Sequence, residues 1–316
     1  MKPRALIVGD GLKDGVRSGV RRALPFLRRR LEVVAVDLAG EVDLAKARAD
    51  LCLSFGGDGT FLDVAHRLAA NPIPVLGVNF GRLGYLAELQ PEDLEQGIAD
   101  YLAGRHRIRE RTRLACVHMQ GGRARDAGLA LNDVVLGRGV LGRMVEIDVR
   151  IDGAEAITIA GDGLIVATAS GSTAHALSAG GPLLDPSLDA FVLVPICPHA
   201  LSNRPLVVPG SSHIELHVRP GRDGAVVVVD GRRPTPVAPD DLVTVCDAQA
   251  PLRVVSVTGR SYYDLLRQKL GWRGRPNYPD LADASQSSAS GAAPSPVRPA
   301  RPQPARTRRG KGPRPA

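Results

Sequence analysis

Aromatic residues are scarce: five Tyr, five Phe and one Trp amount to 3% of the 316 residues. Without large rings, the core has to be built from Val, Leu, Ile and Ala. Cysteine is also sparse. Cys52, Cys116, Cys197 and Cys246 form no C-x-x-C pair, which excludes a zinc-ribbon pattern and a disulfide framework. Three of the four lie in apolar, strand-like runs, so buried, reduced thiols in a cytoplasmic protein are expected. No apolar run is long enough to span a bilayer, and no membrane partner is expected. The apolar stretch near the start ends at Gly9 and Asp10, too soon for a secretory segment, and predicts a first buried strand.

Acidic residues are missing from Ser285 onward, where Arg298, Arg301, Arg306, Arg308, Arg309, Lys311 and Arg314 carry seven of the eight net positive charges. The rest of the chain is close to neutral, which excludes a broad nucleic-acid-binding face on the folded part. Rich in Ser, Ala, Pro and Arg, residues 283–316 have almost nothing to bury and predict a disordered basic tail. Solubilisation and a weak electrostatic contact with RNA, DNA or an acidic protein both fit it, and its partner is unknown.

What is present divides the chain. Over residues 1–108, short apolar runs such as ALIVG, LEVVAVDL, ADLCLSF and IPVLGVN alternate with stretches of helical spacing, Val16–Arg30 and 60–70. That alternation predicts an α/β domain with a parallel, Rossmann-like sheet covered by helices. Over 109–257, strand-like segments follow one another between Gly, Asp and Pro turns and predict a β-rich, β-sandwich-like domain. Over 258–282, SYYDLLRQKLGW returns to helical spacing. The fold class expected is therefore α/β plus all-β.

Gly56-Gly57-Asp58-Gly59-Thr60 follows the buried run LCLSF and opens a helix. That position is the carboxyl end of a parallel strand, where open α/β sheets bind ligands. The glycines would allow positive φ and a close approach of backbone to phosphate, and the helix start offers free N–H groups to an anion. Asp58 has the wrong charge to attract phosphate. It fits a base toward a hydroxyl or a partner of Mg²⁺, or more plainly a helix cap. Neither the P-loop nor the G-x-G-x-x-G fingerprint occurs in the folded part.

A second dense segment runs from Gly161 to Pro182. A buried strand, LIVAT, leads into the turn Ser170-Gly171-Ser172-Thr173 and a short helix ended by Gly180 and Gly181. The row of hydroxyls and N–H groups suits ribose and phosphate; an ordinary capped helix accounts for only part of it.

Together these segments resemble the NAD kinase family. GGDGT is Gly56 to Thr60, and the family's N-x-G-x-L-G-[FY]-L is Asn79 to Leu86. Its Asn-acid pair is Asn132-Asp133, its D-G-L-I stretch is Asp162 to Ala174, and its P-I-C-P-H segment is Pro195 to Pro205. YYDLLRQKLGW matches its last helix. The resemblance runs in order from the first strand to about Arg275. It implies transfer of the γ-phosphate of ATP to the 2′-hydroxyl of the adenosine ribose of NAD, with Mg²⁺ or another divalent cation and no resident metal site. The active site would lie between the domains, and the protein would form a homodimer or homotetramer. Asp58 would be the catalytic base or orienter. Gly56, Gly57, Gly59 and Thr60 would cradle ATP phosphates. NAD would be held by Asp58, Gly59, Tyr85, Asn132, Asp133, Arg143, Asp162, Thr173, Ala174, His175, Ala176, Leu177 and Ser178.

The chain departs from the family pattern in places. His175 stands where Tyr is common, and Ala169-Ser170 replaces a Pro-Thr pair. Arg232 follows Val229-Asp230-Gly231 where Gln is frequent, and would contact a phosphate or face solvent. HIELH, with His213 and His217, alternates like a strand and has its acid misplaced for a metalloprotease. His199 reads as part of a Pro-rich turn. The rival functions are a GGDGT-loop kinase of a lipid or sugar-phosphate hydroxyl, and a nucleotide-binding regulator.

Overall fold

The computed structural model describes residues 1–81, 84–139, 144–219, 224–239 and 241–272, with only the backbone of Asp126. Arg143 and the basic tail from residue 283 lie outside the described residues.

The first domain contains β1 (Arg4–Gly9), α1 (Asp14–Arg30), β2 (Glu32–Asp37), β3 (Leu51–Gly56), α2 (Asp58–Leu68), β4 (Val75–Asn79), α3 (Leu94–Leu102) and β5 (Arg107–Arg111). Twelve strands follow: β6 (Leu114–Gln120), β7 (Arg123–Ala130), β8 (Asp133–Arg138), β9 (Val145–Ile151), β10 (Ala154–Gly161), β11 (Gly163–Thr168), β12 (Ala190–Ile196), β13 (Leu206–Pro209), β14 (Ile214–Val218), β15 (Ala225–Val229), β16 (Thr235–Val237) and β17 (Leu242–Asp247). The short α4 (His175–Ser178) interrupts them, and β18 (Leu252–Ser256) and α5 (Tyr262–Leu270) close the described chain.

The first sheet has the order β2-β1-β3-β4-β18-β5. Its strands are parallel except β5, which runs antiparallel to β18. β3 reads LCLSFG and is buried throughout, as a strand covered on both faces must be. One face packs on α1 and α3 through Val16, Val20, Leu27, Leu94 and Ile98; the other packs on α2 through Phe61, Val64 and Leu68. Strand order reverses between β1 and β3, where an open α/β sheet forms its ligand crevice.

Two antiparallel sheets form the second domain, β10-β9-β14-β17-β6-β7 and β13-β12-β11-β8-β15-β16. The alternation in β14 and β15, buried at every other residue, turns Ile214, Leu216, Ala225 and Val227 into one apolar layer between the sheets. HIELH is thus strand from Ile214 onward, with His213 and His217 flanking Glu215 at 3.9 and 3.6 Å. The far face of the second sheet is covered by Ala169, Ala176 and Leu184.

The chain returns to the first sheet one strand before the closing helix, because β18 already pairs with β4 and β5, and β5 straddles residue 108. Glu88 fixes that return. Its carboxylate accepts from Ser256 Oγ (3.0 Å), the Val257 amide (2.5 Å) and the Thr258 amide (3.2 Å). α5 begins at a Ser261–Asp264 capping box and ends at Gly271, whose φ of 67° is the left-handed turn that stops a helix. Cys52 and Cys116 are buried as expected, but Cys197 is exposed at a φ of 45°, because the chain leaves β12 there for an irregular turn.

Candidate active site between the domains

Asp58 is the first residue of α2. Its carboxylate is docked on the loop after β4: Oδ2 accepts from the Tyr85 amide (2.9 Å), and Oδ1 from the amides of Leu86 (3.1 Å) and Ala87 (3.4 Å). A carboxylate offers about four lone-pair positions, so these three amides leave about one free for another donor. The loop comes this close because residue 84 is glycine; a Cβ there would stand 1.9 Å from Asp58 Oδ1.

The glycines of the turn serve a different purpose from the one expected. None of Gly56, Gly57 and Gly59 has positive φ. Gly56 is required by packing, since its Cβ would lie 2.2 Å from Thr60 Oγ1. A Cβ at Gly59 would meet nothing within 4 Å, so that glycine leaves the first turn of α2 open. Gly59 and Thr60 line a cavity of about 700 Å³ at the carboxyl ends of β1 and β2, shared with Asp10, Lys13, Arg17, Asp63 and Arg67. Arg67 is held there by Asp37, whose carboxylate also accepts the amides of Gly40 and Glu41 at 2.8 and 3.0 Å. Burial opposes the charge of Asp37, but Arg67 and the amides of Glu41 and Val42 together hold its carboxyl below the ordinary range.

A second cavity, of about 350 Å³, is lined by Asn132, Asp133, Val135, Ala174, His175, Val228, Asp230 and Gly231. Its wall is built by Asp230. Oδ2 accepts the Leu131 amide at 2.7 Å, and Oδ1 accepts the amides of Asn132 (2.8 Å) and Asp133 (3.0 Å). Thr168 stitches the same wall to the turn before α4: its hydroxyl donates to Leu131 O (2.6 Å) and accepts from the Gly171 amide (3.0 Å). Gly171 has to be glycine, since a Cβ would fall 1.9 Å from the carbonyl oxygen of Asn132.

Asp133 is buried, and desolvation together with the charge of Asp230 pushes its carboxyl up to about 7. It can therefore donate a hydrogen bond near neutral pH. Because its folded pKa exceeds the unfolded value, Asp133 costs no stability below pH 3.8 and an increasing amount as pH rises toward about 7. Asp133→Asn is expected to match the parent's thermal midpoint at the acid end of that window and to exceed it above pH 7. Thermal unfolding as a function of pH checks this.

The remaining expected residues divide. Tyr85 lies under Lys269 of α5, with Nζ 5.3 Å from the ring centroid; burial, then the charge of Asp58, raises its hydroxyl. Ala174 and His175 line the smaller cavity. Thr173 bonds back to Ser170 O at 3.1 Å, Leu177 is half-buried, Ser178 is exposed, and the Ala176 methyl packs into the core, so Ala176 offers no side chain to the cavity. Asp162 stands apart. It precedes β11 and pairs with Arg138 at 3.1 Å, whereas Asp133 sits opposite Ala167 near the other end of that strand. At about 3.3 Å per residue, roughly 16 Å separates them. His199 bonds through its backbone to Ala160 O, with an exposed ring. Arg232 reaches Asp63 of α2 at 3.5 Å.

Three structural residues escaped the sequence reading: Asp230, Glu88 and Arg113. Arg113 is 3% exposed and closes the carboxyl end of α2 by donating to Ala69 O at 2.6 Å. Among the described residues, no three His, Cys, Asp or Glu side chains converge on a metal position.

Residues 31–106 match the ATP-NAD kinase N-terminal domain, and residues 131–257 match the ATP-NAD kinase C-terminal domain. The chain belongs to the NAD kinase family. An NAD kinase of Aromatoleum aromaticum is 38% identical over 286 residues, spanning 86% of this chain and 95% of that protein. One from Pseudomonas putida is 40% identical over 284 residues, spanning 85% and 95%. An NAD kinase from Archaeoglobus fulgidus, solved in complex with ATP, superposes with a TM-score of 0.70 at 29% identity, over 86% of this chain and 100% of that one. Yeast NADH kinase, solved with NADH, gives a TM-score of 0.79 over 88% and 89% of the chains; at 23% identity it supports the fold alone. The two-domain NAD kinase architecture is thus the one the strand pattern implied.

Proposed function

We infer that the chain is an NAD kinase, transferring the γ-phosphate of ATP to the 2′-hydroxyl of the adenosine ribose of NAD to give NADP. The observation that carries this is the match to both ATP-NAD kinase domains, in order, within one chain.

Phosphoryl transfer needs positioning and charge neutralisation more than covalent chemistry. We assign the donor to the 700 Å³ cavity, where the open first turn of α2 at Gly59 and Thr60 offers amides to phosphate and Lys13, Arg17 and Arg67 offer positive charge. Gly56 and Gly57 shape the approach. We assign NAD to the 350 Å³ cavity, with Asn132, Asp133 and His175 as its polar lining, Ala174 between them, and Thr173, Leu177 and Ser178 beside it. Asp58 keeps about one acceptor position after its three amide contacts, enough to receive the proton side of a ribose hydroxyl and aim its oxygen. That geometry favours an orienting role over free-standing base catalysis. Tyr85 supplies an aromatic face beside it.

Asp10 and Asp63 both line the donor cavity, which fits a divalent cation, Mg²⁺ by preference, carried in on the triphosphate rather than caged by protein. When bound, the cation neutralises phosphate charge. A homodimer or homotetramer is supported by Leu201, Leu206 and Val207, exposed at and near the sheet edge formed by β13. Asp162 sits away from the NAD cavity of its own chain and is proposed only as a second-line contact; Arg143 rests on the family motif alone. A cytoplasmic location is proposed from the four free cysteines. No helix among the described residues is long and apolar enough to cross a membrane.

A panel with labelled ATP tests the acceptor: NAD, NADH, a sugar phosphate and a diacylglycerol. Label in NAD at least tenfold above the sugar and lipid supports the reading; preferential labelling of either of those moves the chain to another kinase class. Gly84→Ala is expected to lower kcat about 100-fold by displacing the loop that seats Asp58, with the circular dichroism spectrum unchanged. Steady-state kinetics beside the spectrum check it.

A further inference from the structure

Two carboxylates in the site are built alike. Asp58 and Asp230 each accept three consecutive backbone amides. They differ at the fourth acceptor position. At Asp230 it is faced by the His66 ring, with Nε2 3.0 Å from Oδ2 and exposures of 8% for His66 and 0% for Asp230. Nε2 has no in-line hydrogen-bond partner among the described residues, so this is a close, off-axis polar contact.

His66 and Asp58 share α2, eight residues apart, which is roughly 12 Å along its axis and about 80° around it. Asp230 lies in the turn after β15 and fixes the backbone of residues 131–133. The pair therefore spans the two domains. One end is the helix that begins with Asp58, and the other is the wall that carries Asn132 and Asp133. Leu131 reinforces the junction by packing into the first domain's core, beside Phe61 and Val64.

We propose that His66 is a positioning residue which, through Asp230, holds the Asn132–Asp133 wall of the NAD cavity in register with the helix carrying Asp58. The inference rests on reading that cavity as the NAD site. Other charged groups near His66 have separate engagements. Arg232 turns to Asp63, Arg67 to Asp37, and Arg113 to the carbonyls of Ala65 and Ala69; Arg233 lines the small cavity of about 80 Å³ beside the ring. Removing the ring leaves the buried side chain of Asp230 without the group that faces it from α2, and the wall it holds is free to shift relative to that helix. The donor cavity, lined by Gly59, Thr60, Asp63 and Arg67 of α2 and by β1, does not include His66 or Asp230.

The test compares His66→Ala and His66→Gln with the parent in the full-length chain, by KM for NAD, KM for ATP, kcat and thermal midpoint. His66→Ala is expected to raise KM for NAD about tenfold while KM for ATP stays within about twofold, and His66→Gln, which keeps a donor near Asp230, to recover most of the loss. A lower thermal midpoint with unchanged KM for NAD, or equal rises in both KM values, overturns the proposal. If His66→Ala does not fold, His66→Gln decides alone: KM for NAD must rise at least about twofold, selectively. Failure of the underlying reading is distinguishable, since the parent itself would then form no NADP, and the proposal falls with it.

Discussion

Asp58→Asn is expected to lower kcat for NADP formation by about 10²- to 10⁴-fold while leaving the dissociation constant for NAD within about threefold. The substitution is nearly isosteric, so the cause is the change in hydrogen-bonding character. Asp58 receives three backbone amides, one on Oδ2 and two on Oδ1. An asparagine has one acceptor oxygen. If that oxygen faces Leu86 and Ala87, the NH₂ group meets the Tyr85 amide, donor against donor. The position that would receive the ribose hydroxyl is lost with it. The loop then relaxes away from α2, or the hydroxyl goes unoriented; either way the reacting oxygen is misplaced while most of the contacts proposed for NAD, in the second domain, persist. Calorimetric titration with NAD beside steady-state kinetics separates the two quantities. A variant with kcat within about threefold of the parent would remove Asp58 from the reaction.

Asp230→Ala is expected to cost on the order of 3–5 kcal/mol of folding stability, because it strands three partly buried amides and a buried histidine side chain at once. The amides of Leu131, Asn132 and Asp133 all turn to Asp230 at that bend, and water entering from the 350 Å³ cavity replaces its carboxylate only in part. Asp230→Asn keeps one acceptor and should fall between the two. Equilibrium unfolding in urea measures the difference. A loss below about 1 kcal/mol would mean that other groups satisfy those amides and that the wall is not built by Asp230.

The elements whose burial is periodic were legible before any coordinates. β3, buried on both faces, reads as a continuous apolar run, and β14 reads as alternation; β15, AVVVV, is apolar throughout although only every other residue is buried. The GGDGT turn was legible because its chemistry is local: five residues at a strand end and a helix start. The reason for its glycines was not, since Gly56 is needed for the approach of the Thr60 side chain rather than for a backbone angle. Asp230 was invisible as a wall builder for a different reason. It sits about a hundred residues from the amides it holds, and its Asp-Gly dipeptide reads as an ordinary turn between strands. His66 falls inside a helix with nothing in its neighbours to mark it. Asp162 shows the opposite case. It is close in sequence to the cavity-lining segment, but a strand carries chain about 3.3 Å per residue, so adjacency along β11 became separation in space. Arg232 was open between phosphate and solvent; the ion pair with Asp63 gives it a third role, between the domains.

The most direct measurement is NADP formation from Mg-ATP and NAD by the purified full-length chain, read with an NADP-specific dehydrogenase, with Asp58→Asn run in parallel. The account predicts NADP that accumulates with time and enzyme concentration in the parent and is nearly absent in the variant. No NADP from a folded parent that binds NAD would contradict it, and equal NADP from both proteins would contradict the role assigned to Asp58.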